Sequence, residues 1–154
     1  MKIVNCSKSD FNQILLEITE FWEDDRILSV HHPMFIYEFG NSAYVIKEGD
    51  TVIAYLFGFI SQTTPAAYVH LIGVRQYHRR RNLAHRLYDH FISFARTQGC
   101  TQIKAITSPT NTQSIAFHKS IGMELTGNPN EDGIPVVNDY SGPGSHRVVF
   151  QKDI

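Results

Sequence analysis

The stretch from Gly73 to Phe91 reads GVRQYHRRRNLAHRLYDHF, and five of the chain's eight arginines fall inside it, between Arg75 and Arg86. The apolar run AYVHLIGV leads into it, and Leu83, Leu87, Phe91, Phe94 and Ala95 recur at helical spacing through and beyond it. A strand, a tight loop and the start of a helix are expected in that order. Such a junction binds anions. The first N–H groups of a helix have no intrahelical acceptor, and the helix dipole favours negative charge there. Asn82 tolerates a left-handed backbone, Ala84 leaves room for close approach, and flanking arginines neutralise phosphate. Three readings stay open on these residues alone: a cofactor's phosphates, a nucleic-acid backbone, or a merely solvated face.

Outward from this stretch the elements follow. Ile3 and Val4 begin a short strand, Ser9-Asp10 is expected to cap a helix, and Phe11, Ile14, Leu15, Ile18 and Phe21 form its apolar stripe. The segment from Asp24 to Ser42 is irregular and rich in aromatics and histidine, with Pro33 expected to end a second short helix. The run AYVIKEGDTVIAYLFGFI reads as a hairpin turning at Glu48-Gly49-Asp50. Residues 68, 70, 72 and 74 are expected on one face of the next strand. Gly99 ends the long helix, TQIKAITS is a strand, and Thr110 with Gln113 suggests a capping box for a last helix closed by Gly122. Residues 127 to 144 read as a long loop, and HRVVFQKDI as a closing strand. The order β-α-α-β-β-β-α-β-α-β describes one α/β domain over residues 1–154, a mixed sheet covered by helices.

Composition narrows the function classes. The chain has 154 residues, 14 Lys+Arg against 15 Asp+Glu, and a formal net charge of −1. That balance argues against a general polyanion binder, so no nucleic-acid partner is expected. Two cysteines make no disulfide framework, and the eight histidines show no recognised ligand spacing, so no metal is expected. No cleavable signal is read at the start, and the longest apolar run, TVIAYLFGFI, is too short to span a bilayer. A cytoplasmic protein without membrane attachment, monomeric or homodimeric, is the expectation.

Two motifs then carry a resemblance. Val74-RQYH-Arg79-RR-Asn82-L-Ala84 resembles the coenzyme A signature of the GNAT superfamily of N-acetyltransferases. That signature is Gln or Arg, two residues, Gly, one residue, then Gly or Ala, after a strand ending in Val. Arg79 and Ala84 match; Asn82 stands where Gly is usual, and Arg80 where a further Gly is common. Downstream, Asn111-TQS-IAFH-KSIGM resembles the second landmark of the family, with His118 at the position of a Tyr and Met123 at that of an aromatic.

The resemblance implies a GNAT-like, mostly antiparallel sheet and an acetyl-coenzyme A-dependent transfer to a primary amine, on a small molecule or a peptide. It implies that Ile72 and Val74 pair with the pantetheine arm. The amides of Arg79, Arg80, Arg81, Asn82, Leu83 and Ala84 would hold the pyrophosphate, and Asn111 would lie beside the arm. Serotonin-type members are similar here in placing histidines at the positions of 68 and 70. His70, with Tyr68 nearby, is therefore a candidate base, and His118 a candidate proton donor to the departing thiolate. Each also has an ordinary reading as a packed side chain. A catalytically silent coenzyme A sensor and a small RNA-binding module are the alternatives.

Overall fold

The computed structural model describes residues 1–154. Seven strands form one sheet in the order β1-β2-β3-β4-β5-β9-β6, where β1 is Ile3–Asn5, β2 Ala43–Glu48, β3 Thr51–Ile60, β4 Ala66–Val74, β5 Gln102–Thr107, β6 Glu124–Thr126 and β9 Val148–Asp153. Only β4 and β5 run parallel; every other neighbouring pair is antiparallel. The crossover between β4 and β5 is the long helix α4, Leu83–Thr97, as the register of a parallel pair requires.

Each face of the sheet has its own core. Helix α4 and helix α5 (Thr112–Ser120) cover one face, where Leu83, Leu87, Phe91 and Ile115 pack on Ile46, Leu56 and Val69. The other face carries α1 (Lys8–Leu16), α2 (Ile18–Phe21) and α3 (Met34–Tyr37), whose Phe11, Ile14, Phe21 and Phe35 pack on Tyr55, Phe57 and Leu71.

Several local expectations are corrected. Ser7, not Ser9, caps α1: its hydroxyl accepts from Asp10 N–H at 3.1 Å while the Asp10 carboxylate accepts from Ser7 N–H at 3.0 Å. Pro33 starts α3 rather than ending a helix, because a ring that lacks an N–H fits a first turn, where that group has no acceptor. Before it, Arg26–Val30 forms a 3-10 turn. The Asn111 side chain caps α5, accepting from Ser114 N–H at 3.1 Å, so Thr110 and Gln113 form no capping box. The 127–144 segment is not all loop: β7 (Asn128–Pro129) and β8 (Pro135–Val136) pair as a small hairpin.

The largest correction concerns β4. Phe57 pairs with Leu71 but Gly58 with Val69, so His70 is one residue too many and forms a β-bulge. Alternation therefore changes phase there. Ala67, Val69, Ile72 and Val74 pack toward α4, whereas Leu71 packs toward α1 and α3. Tyr68 stacks on Phe59 and His70 on Phe35, on the α3 side. Residues 68 and 70 thus share a face, and 72 and 74 share the opposite one. Opposite the bulge, Gly58 has no room for a side chain: a Cβ would lie 2.7 Å from Tyr68 O and 2.8 Å from Phe91 Cζ. No helix is long and apolar enough to cross a membrane.

Candidate active site

The sheet opens at the bulge. Strand β5 pairs with β4 only from Gln102 to Ala105, against Ala66 to Val69. Beyond that point β5 follows β9 to Thr107 while β4 follows β3 to Val74. Arg75 N–H donates to Ile53 O at 2.9 Å, toward β3. The two-residue period of a strand then turns the N–H and C=O groups of Ile72 and Val74 the other way, into the gap.

The loop after β4 leads to the mouth of this gap. Arg80 and Asn82 both have left-handed backbones, with φ of 62° and 61°. Asn tolerates that region; for Arg it is strained, and such strain concentrates at functional loops. The first α4 amide to find a backbone acceptor is Arg86 N–H, which donates to Asn82 O. The N–H groups of Arg80 through His85 donate to no acceptor in the chain. Left-handed turns feeding a helix N-terminus make a concave run of donors, a site suited to phosphate oxygens.

The arginine side chains mostly do something else. Arg75 is buried, donates from Nε to Val52 O at 2.6 Å, pairs with Glu17 and stacks over Phe21. It is a structural residue. Arg79 donates to Phe21 O at 2.9 Å and so ties the loop to α2. Arg81 approaches Glu48 at 3.5 Å, and Arg86 donates to Met1 O at 2.6 Å. Arg80 makes no hydrogen bond or ion pair within the chain and is exposed. Backbone amides, rather than a fork of guanidinium groups, dominate the anion-facing chemistry of the loop.

On the opposite face, His70 Nε2 lies 2.9 Å from Val30 O. A carbonyl only accepts, so Nε2 carries the proton and a neutral ring keeps its lone pair on Nδ1, which no group of the chain engages. Its ring stacks on Phe35, with centroids 4.6 Å apart. Burial lowers its pKa below the ordinary histidine value, against the opposing pull of the Val30 carbonyl. The ring is neutral near pH 7 and able to accept a proton. Burial pushes the Tyr68 phenol up to about 12, so near neutrality it is a donor and not a base.

His118 sits apart from these two. It is buried on α5 and stacks on Phe150 at 4.3 Å. Its Nδ1–H donates to Ser114 O at 2.7 Å, and its Nε2 accepts from the Tyr88 hydroxyl at 2.7 Å. Burial lowers its pKa, so the ring stays neutral and has no proton on Nε2 to give. Sequence reasoning did not single out Tyr88, whose place on the α4 stripe makes it look like ordinary core. It also missed Tyr55. That hydroxyl donates to His31 Nε2 and accepts from Trp22 Nε1–H, at 2.7 and 2.8 Å, which pins the 22–31 segment to the sheet. The approach of Tyr55 depends on Gly73, where a Cβ would lie 2.6 Å from its ring. Asn111 spends its side-chain oxygen on capping α5. No group of three or more His, Cys, Asp or Glu side chains is placed to hold a metal ion.

A split parallel pair, a bulge at its apex and a run of free amides below it define a mixed α/β fold with an open, donor-lined gap in its sheet. The chain belongs to the GNAT acetyltransferase family: the profile described as "Acetyltransferase (GNAT) family" matches residues 9–123. No curated protein matches it in sequence. Among solved structures, Ard1 from Thermoplasma volcanium is similar at 21% identity, with a TM-score of 0.71, covering 99% of this chain and 97% of that one. Chaetomium thermophilum Naa20, solved with a bisubstrate analogue, has a TM-score of 0.77 at 16% identity, covering 100% and 87%. An aminoglycoside 6'-N-acetyltransferase complexed with coenzyme A has a TM-score of 0.72 at 14% identity, covering 99% and 97%.

Proposed function

We propose that the chain transfers an acetyl group from acetyl-coenzyme A to a primary amine by direct attack. The observation that carries this reading is the run of N–H groups from Arg80 to His85, free of partners and placed at the mouth of the β4–β5 gap. Those amides, following Arg79, would receive the pyrophosphate, with Leu83 and Ala84 in the first helical turn. Ile72 and Val74 would pair with the pantetheine arm through their gap-facing backbone groups, with Asn111 across the gap. When bound, the co-substrate supplies an activated acetyl thioester.

The chain's own groups would do the rest. Backbone N–H groups beside the bulge would polarise a carbonyl placed in the gap. An ammonium has no lone pair, so the amine must lose a proton before it attacks. His70 Nδ1 would accept it, directly or through one water, because the Val30 carbonyl fixes the tautomer that leaves Nδ1 open. Tyr68 would orient the acceptor as a hydrogen-bond donor. His118 would act at a distance, holding Tyr88 and the α4–α5 packing, and solvent would protonate the departing thiolate. A thiol with an intrinsic pKa of about 8.5 leaves tolerably without a dedicated acid.

The test is acetyl-coenzyme A binding combined with thiol release across a panel of amines. Protection against thermal unfolding with amine-dependent thiol release supports the reading. Protection without turnover of any amine would favour the silent sensor.

A further inference from the structure

The acceptor face beside His70 is built from rings. Phe35 stacks on His70 at 4.6 Å and lies 6.0 Å from Phe39; Phe39 lies 5.5 Å from Phe59, and Phe59 stacks on Tyr68 at 5.1 Å. Tyr68 and His70 are next-but-one neighbours on β4, so the circuit closes on itself. Phe35 is buried beneath it, whereas Phe39, Phe59, Tyr68 and His70 are each only half-buried. Val30 and Met34, each 38% exposed, extend the apolar surface on the α3 side. A surface of this kind attracts a flat apolar group.

Two cations without an ion-pair partner lie beside it. Lys104 is the cross-strand partner of Tyr68, on the face opposite the buried Ile103 and Ala105. Arg147 alternates with the inward-facing Val148 and is a charged neighbour of the Tyr68 phenol. Neither cation has a carboxylate partner. The Arg147 side chain donates only to the His146 carbonyl, while its backbone N–H donates to Val137 O, and no helix covers β5 and β9 on this side. Glu131 and Asp132 line a different cleft with Pro109, Asn138 and His146.

We infer that the acceptor is an aromatic α-amino acid: an amine whose ring lies on the Phe39–Phe59–Tyr68 wall and whose carboxylate meets Arg147 and Lys104. This rests on the acetyltransferase reading above. The transfer balances simply. The ammonium loses one proton to His70, which passes it to solvent. The amine nitrogen then forms the amide bond to the acetyl carbon, the carbon–sulfur bond breaks, and the second proton lost by nitrogen is balanced by the one the departing thiolate takes from solvent. A polycationic amine fits poorly, because it would meet two unneutralised cations in place of carboxylates.

The experiment measures thiol release from acetyl-coenzyme A with phenylalanine and tryptophan, with phenethylamine and tryptamine, with alanine, with kanamycin, and with an alanine-initiated peptide. The aromatic amino acids are expected to exceed every other acceptor at least ten-fold in kcat/KM. Arg147→Gln is expected to raise KM for phenylalanine about ten-fold relative to KM for phenethylamine, a split that a merely structural role would not give. Lys104→Gln, at a half-buried position, is expected to shift KM the same way. Preference for kanamycin, the peptide or alanine, or parity between phenylalanine and phenethylamine, overturns the inference while leaving the acetyltransferase reading intact. Failure of acetyl-coenzyme A to bind and of every amine to react overturns both.

Discussion

The exposed nitrogen of His70 and the buried nitrogens of His118 belong to the same residue type in opposite situations. His70 has one ring nitrogen fixed by a carbonyl and the other open. His70→Ala is expected to lower kcat/KM about 10²- to 10⁴-fold, with acetyl-coenzyme A affinity unchanged. The pH–rate profile checks it: the lowered pKa puts the acid limb below the ordinary histidine value, and the variant should lose that limb. His118 has both nitrogens engaged inside the core. His118→Phe leaves the buried Tyr88 hydroxyl without an acceptor and is expected to cost about 1–3 kcal/mol of stability, with kcat near wild type. Adding Tyr88→Phe should recover part of that loss in a denaturation midpoint. His70 is a candidate base on the sequence, but the hydrogen-bond partners that fix each ring could not be read from it. The partner of His70 is Val30, forty positions away, and that of His118 is Tyr88 on another helix.

At the scale of elements, the strand–loop–helix from Ala66 to Thr97 was largely legible, since apolar spacing, Asn82 and Gly99 mark its boundaries locally. The bulge was not, because an extra residue exists only relative to the partner strand. Its place is set by Gly58, which lets Phe91 of α4 press against β3. The fates of the arginines were equally hidden: Arg75 and Arg79 are claimed by Glu17, Val52 and Phe21 from elsewhere in the chain. The charge cluster that points to an anion is mostly a clamp that shapes the amide run. Ala84→Glu puts bulk and a like charge at that run. It is expected to abolish the thermal shift on adding acetyl-coenzyme A, a shift worth about 2.7 kcal/mol at about 100 times Kd in the wild type. Gly58→Ala is expected to destabilise by about 1–3 kcal/mol through overpacking, measured by urea denaturation.

Across the whole molecule, burial holds three histidines, His31, His70 and His118, below their ordinary pKa. Above about pH 6.5 they are neutral in both the folded and the unfolded chain. As pH falls below that value, the unfolded chain takes up protons that the folded one resists, so stability falls with pH until the depressed pKa values are reached. The urea midpoint at pH 5 is expected to lie below that at pH 7.5; equal midpoints would contradict the neutral, buried histidines. The same loss should be milder with acetyl-coenzyme A present, because a ligand of the folded state opposes unfolding at any pH.

The split between β4 and β5 also sets a pattern in time. Strands ordinarily protect their amides from deuterium exchange along their whole length, but β4 beyond the bulge has a partner on one side only. Leu71, Gly73 and Arg75 point their N–H groups toward β3 and should exchange slowly. Ile72 and Val74, in the same strand, should exchange nearly as fast as the loop amides from Arg80 to His85. An amide-resolved exchange spectrum should therefore show a two-residue alternation along Leu71–Arg75. An occupant of the gap should erase it, slowing Ile72, Val74 and the loop together while leaving their neighbours unchanged.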